Sequence, residues 1–214
     1  DARLPLDLEF TDDTGKTVRL RDYFDGRRPV VLNLAYYTCP MLCTLVLNGV
    51  VDAMNASGFT QGGEFINVIV SIDPSETASL AAAKKENYLK LYRKPVTGDD
   101  WHFLVGQQAP ISSLAEAVGF GYRYDEEQDQ YIHTAAPFIL RPDGRISRYL
   151  YGIEVPAQTF RLGLLEAADG KIGNTVDRII LYCFHYDAAS GRYAPLALNI
   201  VRLGGAVTLA AVVI

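Results

Sequence analysis

The chain has little of what would build a small cross-linked scaffold: three cysteines, three histidines, two methionines and one tryptophan in 214 residues. Three cysteines exclude a disulfide framework, and the odd count leaves at least one thiol unpaired. No run of Lys or Arg and no basic stripe stands out, and the net charge is −5. Nucleic acid is therefore not an expected partner. There is no internal repeat, no low-complexity tract and no clear linker before about residue 170. With 49% hydrophobic and 21% charged residues, a disordered chain is excluded and one compact domain is expected. A full-length bilayer span is also lacking. From Ala194 to Ile214 the only charge is Arg202, and the last twelve residues carry none, against roughly 20 apolar residues for a span. This end reads equally well as the outer part of a membrane anchor or as a packed C-terminal element. The start at Asp1, without Met, points to a removed targeting segment or a trimmed chain.

What is present alternates in kind. "LPLDLEFTDDTGKTVRLRDYF" has apolar alternation on either side of a DDTG turn and predicts a β-hairpin. "RRPVVLNLAYY" and "FINVIVSID" read as strands buried on both faces. Between them, Thr38 as cap and Pro40 in the first turn predict a helix running from Cys39 to about Ser57 and Gly58. A second helix capped by Ser75, a short strand "WHFLVG" and a helix over "ISSLAEAVG" follow. "GYRYDEEQDQYIH" predicts a hairpin or a long loop whose tip holds Asp125, Glu126, Glu127 and Asp129, a solvated turn. "PFILRPDGRISRYLYG" predicts two antiparallel strands around Pro142-Asp143-Gly144, and a last helix covers about Pro156 to Ala168. The order βαβα, then ββα, predicts an α/β thioredoxin-like fold, a central mixed sheet flanked by helices. Residues 1–170 form the domain in this reading, with an N-terminal hairpin, and 171–214 form a C-terminal extension.

The chemistry concentrates in "YYTCPMLCTL", residues 36–45, where Cys39 and Cys43 lie four apart. On a helix both sulfurs share one face. Free N–H groups and the dipole at the helix start favour a thiolate at Cys39, and a strand-to-helix turn predicts an exposed pair. Three residues between the cysteines allow a disulfide and also leave room for a bridging metal. Two buried core thiols remain an alternative. Two thiolates with one imidazole suit Cu(I), whereas Zn(II) wants four ligands. Of the histidines, His133 precedes the apolar strand at Phe138 and falls on the side of the first helix, making it the natural third ligand. His102, inside its strand, reads as structural. Cys183 and His185 form a Cys-x-His pair in the extension, too few for a metal site on their own.

Taken together, these pieces resemble the Sco/SenC family of thioredoxin-like copper-binding proteins. The matching pieces are Thr38-Cys39-Pro40 with Cys43, Ser71-Ile72-Asp73-Pro74 followed by Glu76-Thr77, Trp101-x-Phe103-Leu104, and His133 eleven residues before Gly144. They span about residues 5–168. The resemblance implies copper, Cu(I) and also Cu(II), bound by Cys39, Cys43 and His133, with a Cys39–Cys43 disulfide as the redox form. Asp73, at the end of the second strand close to the first helix, and Met41, through its thioether, are accessory candidates on their own position and chemistry. It implies delivery to the copper-bearing subunit of a membrane cytochrome c oxidase in an extracytoplasmic, periplasmic or membrane-associated setting, with another thioredoxin-like protein as a reductant. Copper transfer is ligand exchange rather than catalysis. A thiol:disulfide oxidoreductase that keeps the partner's cysteines reduced uses the same thiolates without His133. A peroxide-reducing relative of the fold lacks its supported single cysteine here. Two positions depart from the family pattern: Met41 and Ile132 stand where acidic residues are common.

Overall fold

The computed structural model describes residues 3–39, 42–95, 101–169, 184–187 and 192–195, together with 202, 204, 205 and 208. Strands β1 (Glu9–Asp12) and β2 (Thr17–Arg19) form the expected hairpin. Its turn is tied by Asp12, whose Oδ1 accepts from the N–H groups of Thr14 and Lys16 at 2.8 and 2.9 Å. Gly15 supplies the positive φ of 86° that the turn requires.

Three parallel strands make the centre: β3 (Val30–Ala35), β4 (Ile66–Ser71) and β5 (Trp101–Val105). Every residue of β3 and β4 is buried, as expected of strands with helices on both faces. Beyond β3 come the antiparallel strands β8 (Phe138–Leu140) and β9 (Ile146–Tyr149). The seven-stranded order is β2-β1-β5-β4-β3-β8-β9, so the N-terminal hairpin covers the outer edge of β5. Helices α1 (Leu42–Ala56), α2 (Ala78–Leu91), α3 (Gln108–Ala117) and α4 (Ala157–Ala167) complete the layers. The fold is thioredoxin-like, as the order of elements predicted. A second, two-stranded sheet pairs β6 (Tyr122–Asp125) with β7 (Gln130–His133), and Asp129 at its tip has a φ of 51°.

The cap of α2 differs from expectation. Helix α2 is capped by Thr77, whose hydroxyl accepts from Leu80 N at 3.4 Å. Ser75 is unavailable because Asp73 Oδ1 holds its N–H and hydroxyl at 2.8 and 2.6 Å in an Asx turn. His102 lies on β5 with its ring 4.2 Å from that of Tyr23.

In the extension, β10 (Phe184–Asp187) pairs with β11 (Arg192–Pro195), and His185 opposes Ala194. Pro40, Met41, Cys183 and most of the apolar tail lie outside the described residues. Among the described residues, no helix is long and apolar enough to cross a membrane.

Candidate metal centre

Strand β3 delivers the chain to the site and helix α1 carries it away. Past Ala35 the backbone leaves the sheet through Tyr36, Tyr37 and Thr38 to Cys39, at the carboxyl end of the parallel strands where α/β folds place their ligands. Cys43 stands in the first turn of α1. The Cys43 N–H donates to Cys39 Sγ at 3.2 Å, and the Tyr36 N–H donates to Cys43 Sγ at 3.4 Å. A helix-start amide is therefore aimed at the Cys39 sulfur, the arrangement that favours negative charge there.

His133 ends β7 and brings the third donor. Its Nε2 is 2.9 Å from Cys43 Sγ, and its Nδ1 is 2.8 Å from the carbonyl oxygen of Thr134. A carbonyl only accepts, so Nδ1 carries the proton and Nε2 presents its lone pair to the sulfurs. This is how outer contacts of metal-binding histidines fix the tautomer. The imidazole stacks on Phe120, centroids 5.6 Å apart, and meets the edge of Tyr36 at 6.0 Å. The two sulfurs and the imidazole nitrogen all lie within 4.8 Å of one another. Cys39 and His133 line a cavity of about 350 Å³ rimmed by Leu42, Leu45, Tyr131 and Ile132.

The expected exposed pair is corrected by burial. Cys39 is 8% exposed and Cys43 1%, because the β6–β7 hairpin folds Tyr131 and His133 over the turn. Burial pushes the Cys43 thiol well above its ordinary value, with the Tyr36 amide working against it. Burial and the neighbouring Cys39 also raise Tyr36, so its phenol stays protonated. Nor does Thr38 cap α1. Its hydroxyl and N–H both go to Glu76 Oε1, at 2.9 and 2.7 Å.

Of the residues singled out from sequence, Cys39, Cys43 and His133 come together. Asp73 forms the turn before α2, and none of its described hydrogen bonds reaches the three. Met41 lies outside the described residues. Sequence reasoning missed the work of Glu76. Buried at 8% exposure, it also accepts from Tyr37 N at 2.8 Å and Ser71 Oγ at 2.6 Å. Lys84 was missed as well; its Nζ donates to Tyr37 O at 2.9 Å. The available signal was an acid just before a helix cap, which usually marks a solvated first turn.

Comparison with known proteins decides the lineage. The sequence profile described as SCO1/SenC matches residues 2–161. The chain belongs to the SCO1/SenC family. Solved structures similar to this SCO1/SenC chain include a proposed electron transfer protein from Aquifex aeolicus VF5, at 21% identity and a TM-score of 0.68, covering 78% of this chain and 92% of that one. Arabidopsis thaliana ScoI with copper bound is similar at 19% identity and a TM-score of 0.59, with 76% and 96% covered. BsSco, described as a member of the Sco family of cytochrome c oxidase assembly proteins and as having a disulfide switch, is similar at 20% identity and a TM-score of 0.60, with 78% and 96% covered. These likenesses establish the thioredoxin-like fold of the SCO1/SenC chain. A search of curated proteins gives no match.

The donor set itself has a chemical preference. Two soft sulfurs and one imidazole nitrogen fit Cu(I), which is stable with few ligands, better than Zn(II), which in a closed site takes four. Among the described residues, no fourth His, Cys, Asp or Glu joins the group.

Proposed function

We propose that this chain is a copper metallochaperone: Cys39 and Cys43 as thiolates and His133 through Nε2 bind Cu(I), which passes to the copper centre of a membrane cytochrome oxidase. The observation that carries the reading is the convergence of three donor atoms within 4.8 Å, with the imidazole tautomer already set by Thr134. Binding requires both thiols to give up their protons. The Cys43 thiol is hard to ionise in the apo protein, so proton release accompanies metal uptake. Handover is ligand exchange, in which a partner's donors replace these one at a time. Family membership, and the oxidase-assembly description of a relative, support the oxidase as recipient. An extracytoplasmic, membrane-associated location belongs to the same reading, as do Cu(II) as a second bound state and a thioredoxin-like reductant for the disulfide.

The second reading is thiol:disulfide exchange, favoured by the contact of the Cys43 amide with the Cys39 sulfur on one helical turn. His133→Ala separates the two. Loss of outer residues at metal sites commonly costs 10–100-fold in affinity, so loss of a ligand should cost roughly the upper end or more. Competition titration with a Cu(I) chelator should show this, while disulfide exchange stays near the wild-type rate. Unchanged Cu(I) affinity in the variant would remove His133 as a ligand and leave the redox reading ahead.

A further inference from the structure

The peptide that carries Cys39 is held from outside, by Glu76 in the segment running into helix α2 and by Lys84 within that helix. Glu76 receives four donors: Tyr37 N and Ser71 Oγ on one oxygen, Thr38 N and Thr38 Oγ1 on the other. Lys84, two turns further on, donates to the carbonyl of Tyr37. Both backbone polar groups of Tyr37 and the N–H of Thr38 are thus fixed by two charged side chains, one just before α2 and one within it. A carboxylate so buried is costly unless its lone pairs are filled. Here they are filled chiefly by the segment that leads into the cysteine. Hydrogen bonds to a charged partner are the strong ones, and the grip lies one residue before Cys39.

We propose that Glu76 is a positioning residue for the Cys39–Cys43 pair: with Lys84 it fixes the Tyr37–Thr38 peptide, so that the Cys39 sulfur stays over the Cys43 amide and beside His133. The physical gain is preorganisation. A held sulfur loses less freedom when it joins a metal site, and equally when it closes on its neighbour, so releasing the grip weakens both outcomes. The copper half of this statement rests on the copper-binding reading; the disulfide half does not.

The test uses Glu76→Gln, Glu76→Asp and Lys84→Met in the full chain. Gln replaces one oxygen by an NH2 group, which then faces two donors. Asp keeps the charge and both acceptor oxygens. Two constants are measured on folded protein: Cu(I) affinity against a chelator, and the equilibrium with glutathione disulfide. In the latter, the Cys39–Cys43 bond forms, the glutathione S–S bond breaks, and the two thiol protons pass to the two glutathione sulfurs. Glu76→Gln should lower both constants by roughly tenfold, the lower end for outer residues of metal sites. Glu76→Asp should recover most of the loss, and Lys84→Met should fall between Glu76→Gln and wild type. A purely structural glutamate would shift the unfolding midpoint while leaving both constants of the folded protein unchanged, and that result overturns the proposal. Should Glu76→Gln fail to fold, Lys84→Met decides, and wild-type constants there overturn it equally. A wild-type protein that takes up no Cu(I), alongside a lowered disulfide constant in Glu76→Gln, sinks the copper reading and upholds the positioning role.

Discussion

Gly49 sits in the middle of α1, six residues after Cys43, where alanine would ordinarily be the better helix former by about 1 kcal/mol. The structure reverses that expectation. A Cβ at this position would lie 2.0 Å from the carbonyl oxygen of Ile153, and real Cβ atoms essentially never approach closer than 3.0 Å. Helix and loop would therefore have to separate by at least 3.0 − 2.0 = 1.0 Å. The obstacle is backbone, which cannot swing aside as a side chain can. Overpacking costs about 1–3 kcal/mol, and a backbone obstacle puts this site in the upper part of that range, about 2–3 kcal/mol, so after the propensity gain of about 1 kcal/mol the net loss for Gly49→Ala is about 1–2 kcal/mol. For a chain of this size that lowers the melting temperature by about 2–8 °C. Gly163 in α4 is the control. Its added Cβ would meet the Ile139 side chain alone, with Cδ1, the end of that chain, at 2.6 Å, so Gly163→Ala should lose less. Thermal unfolding of both variants, followed by circular dichroism, makes the comparison. A Gly49→Ala protein melting at or above wild type would refute the close approach of α1 to the 152–154 segment.

Two further outcomes are expected. Phe160, fully buried and edge-on to Phe65 at 5.5 Å, anchors α4 on the sheet; Phe160→Ala should cost about 3–5 kcal/mol by urea unfolding, and a loss near zero would argue against this core. The second concerns pH. Burial raises the folded Cys43 thiol above its ordinary value of 9.0, so above that pH the unfolded chain releases a proton that the folded chain keeps. Stability present below the ordinary value is therefore lost as pH climbs, by up to about 1.4 kcal/mol per pH unit. Buried tyrosines, Tyr37 among them, shift the same way. The quantity to compare is thus reduced wild type against Cys43→Ala at pH 8 and 10, and identical pH profiles for the two would contradict the burial of Cys43.

The sequence was most legible where local rules decide. Buried strands announced themselves as β-branched runs at 30–35 and 66–71. The Cys-x3-Cys spacing put two sulfurs together because helical neighbours recur every four residues. Both mistaken caps have one cause: a hydroxyl near a helix start has several suitors. Thr38 is taken by Glu76 from thirty-eight residues away and Ser75 by Asp73, and only the folded chain shows which partner wins. The burial of the cysteines was illegible for a similar reason, since the cover is a hairpin ninety residues downstream whose fold-back no local pattern encodes. A carboxylate written among small polar residues gave no sign that it would turn inward and grip another segment.

The three donors do not share one support. The sulfurs ride on the junction of β3 and α1, bolted to the seven-stranded sheet, whereas the imidazole arrives on a separate two-stranded arm. Any cation bridging them becomes a stitch between arm and body. The arm's purchase is the single weaker nitrogen donor and the body's is two sulfurs, so the stitch unpicks from the arm first. On the proposed copper-transfer reading, a recipient approaching from that side would meet a half-open seam, with the metal still held by the two sulfurs behind.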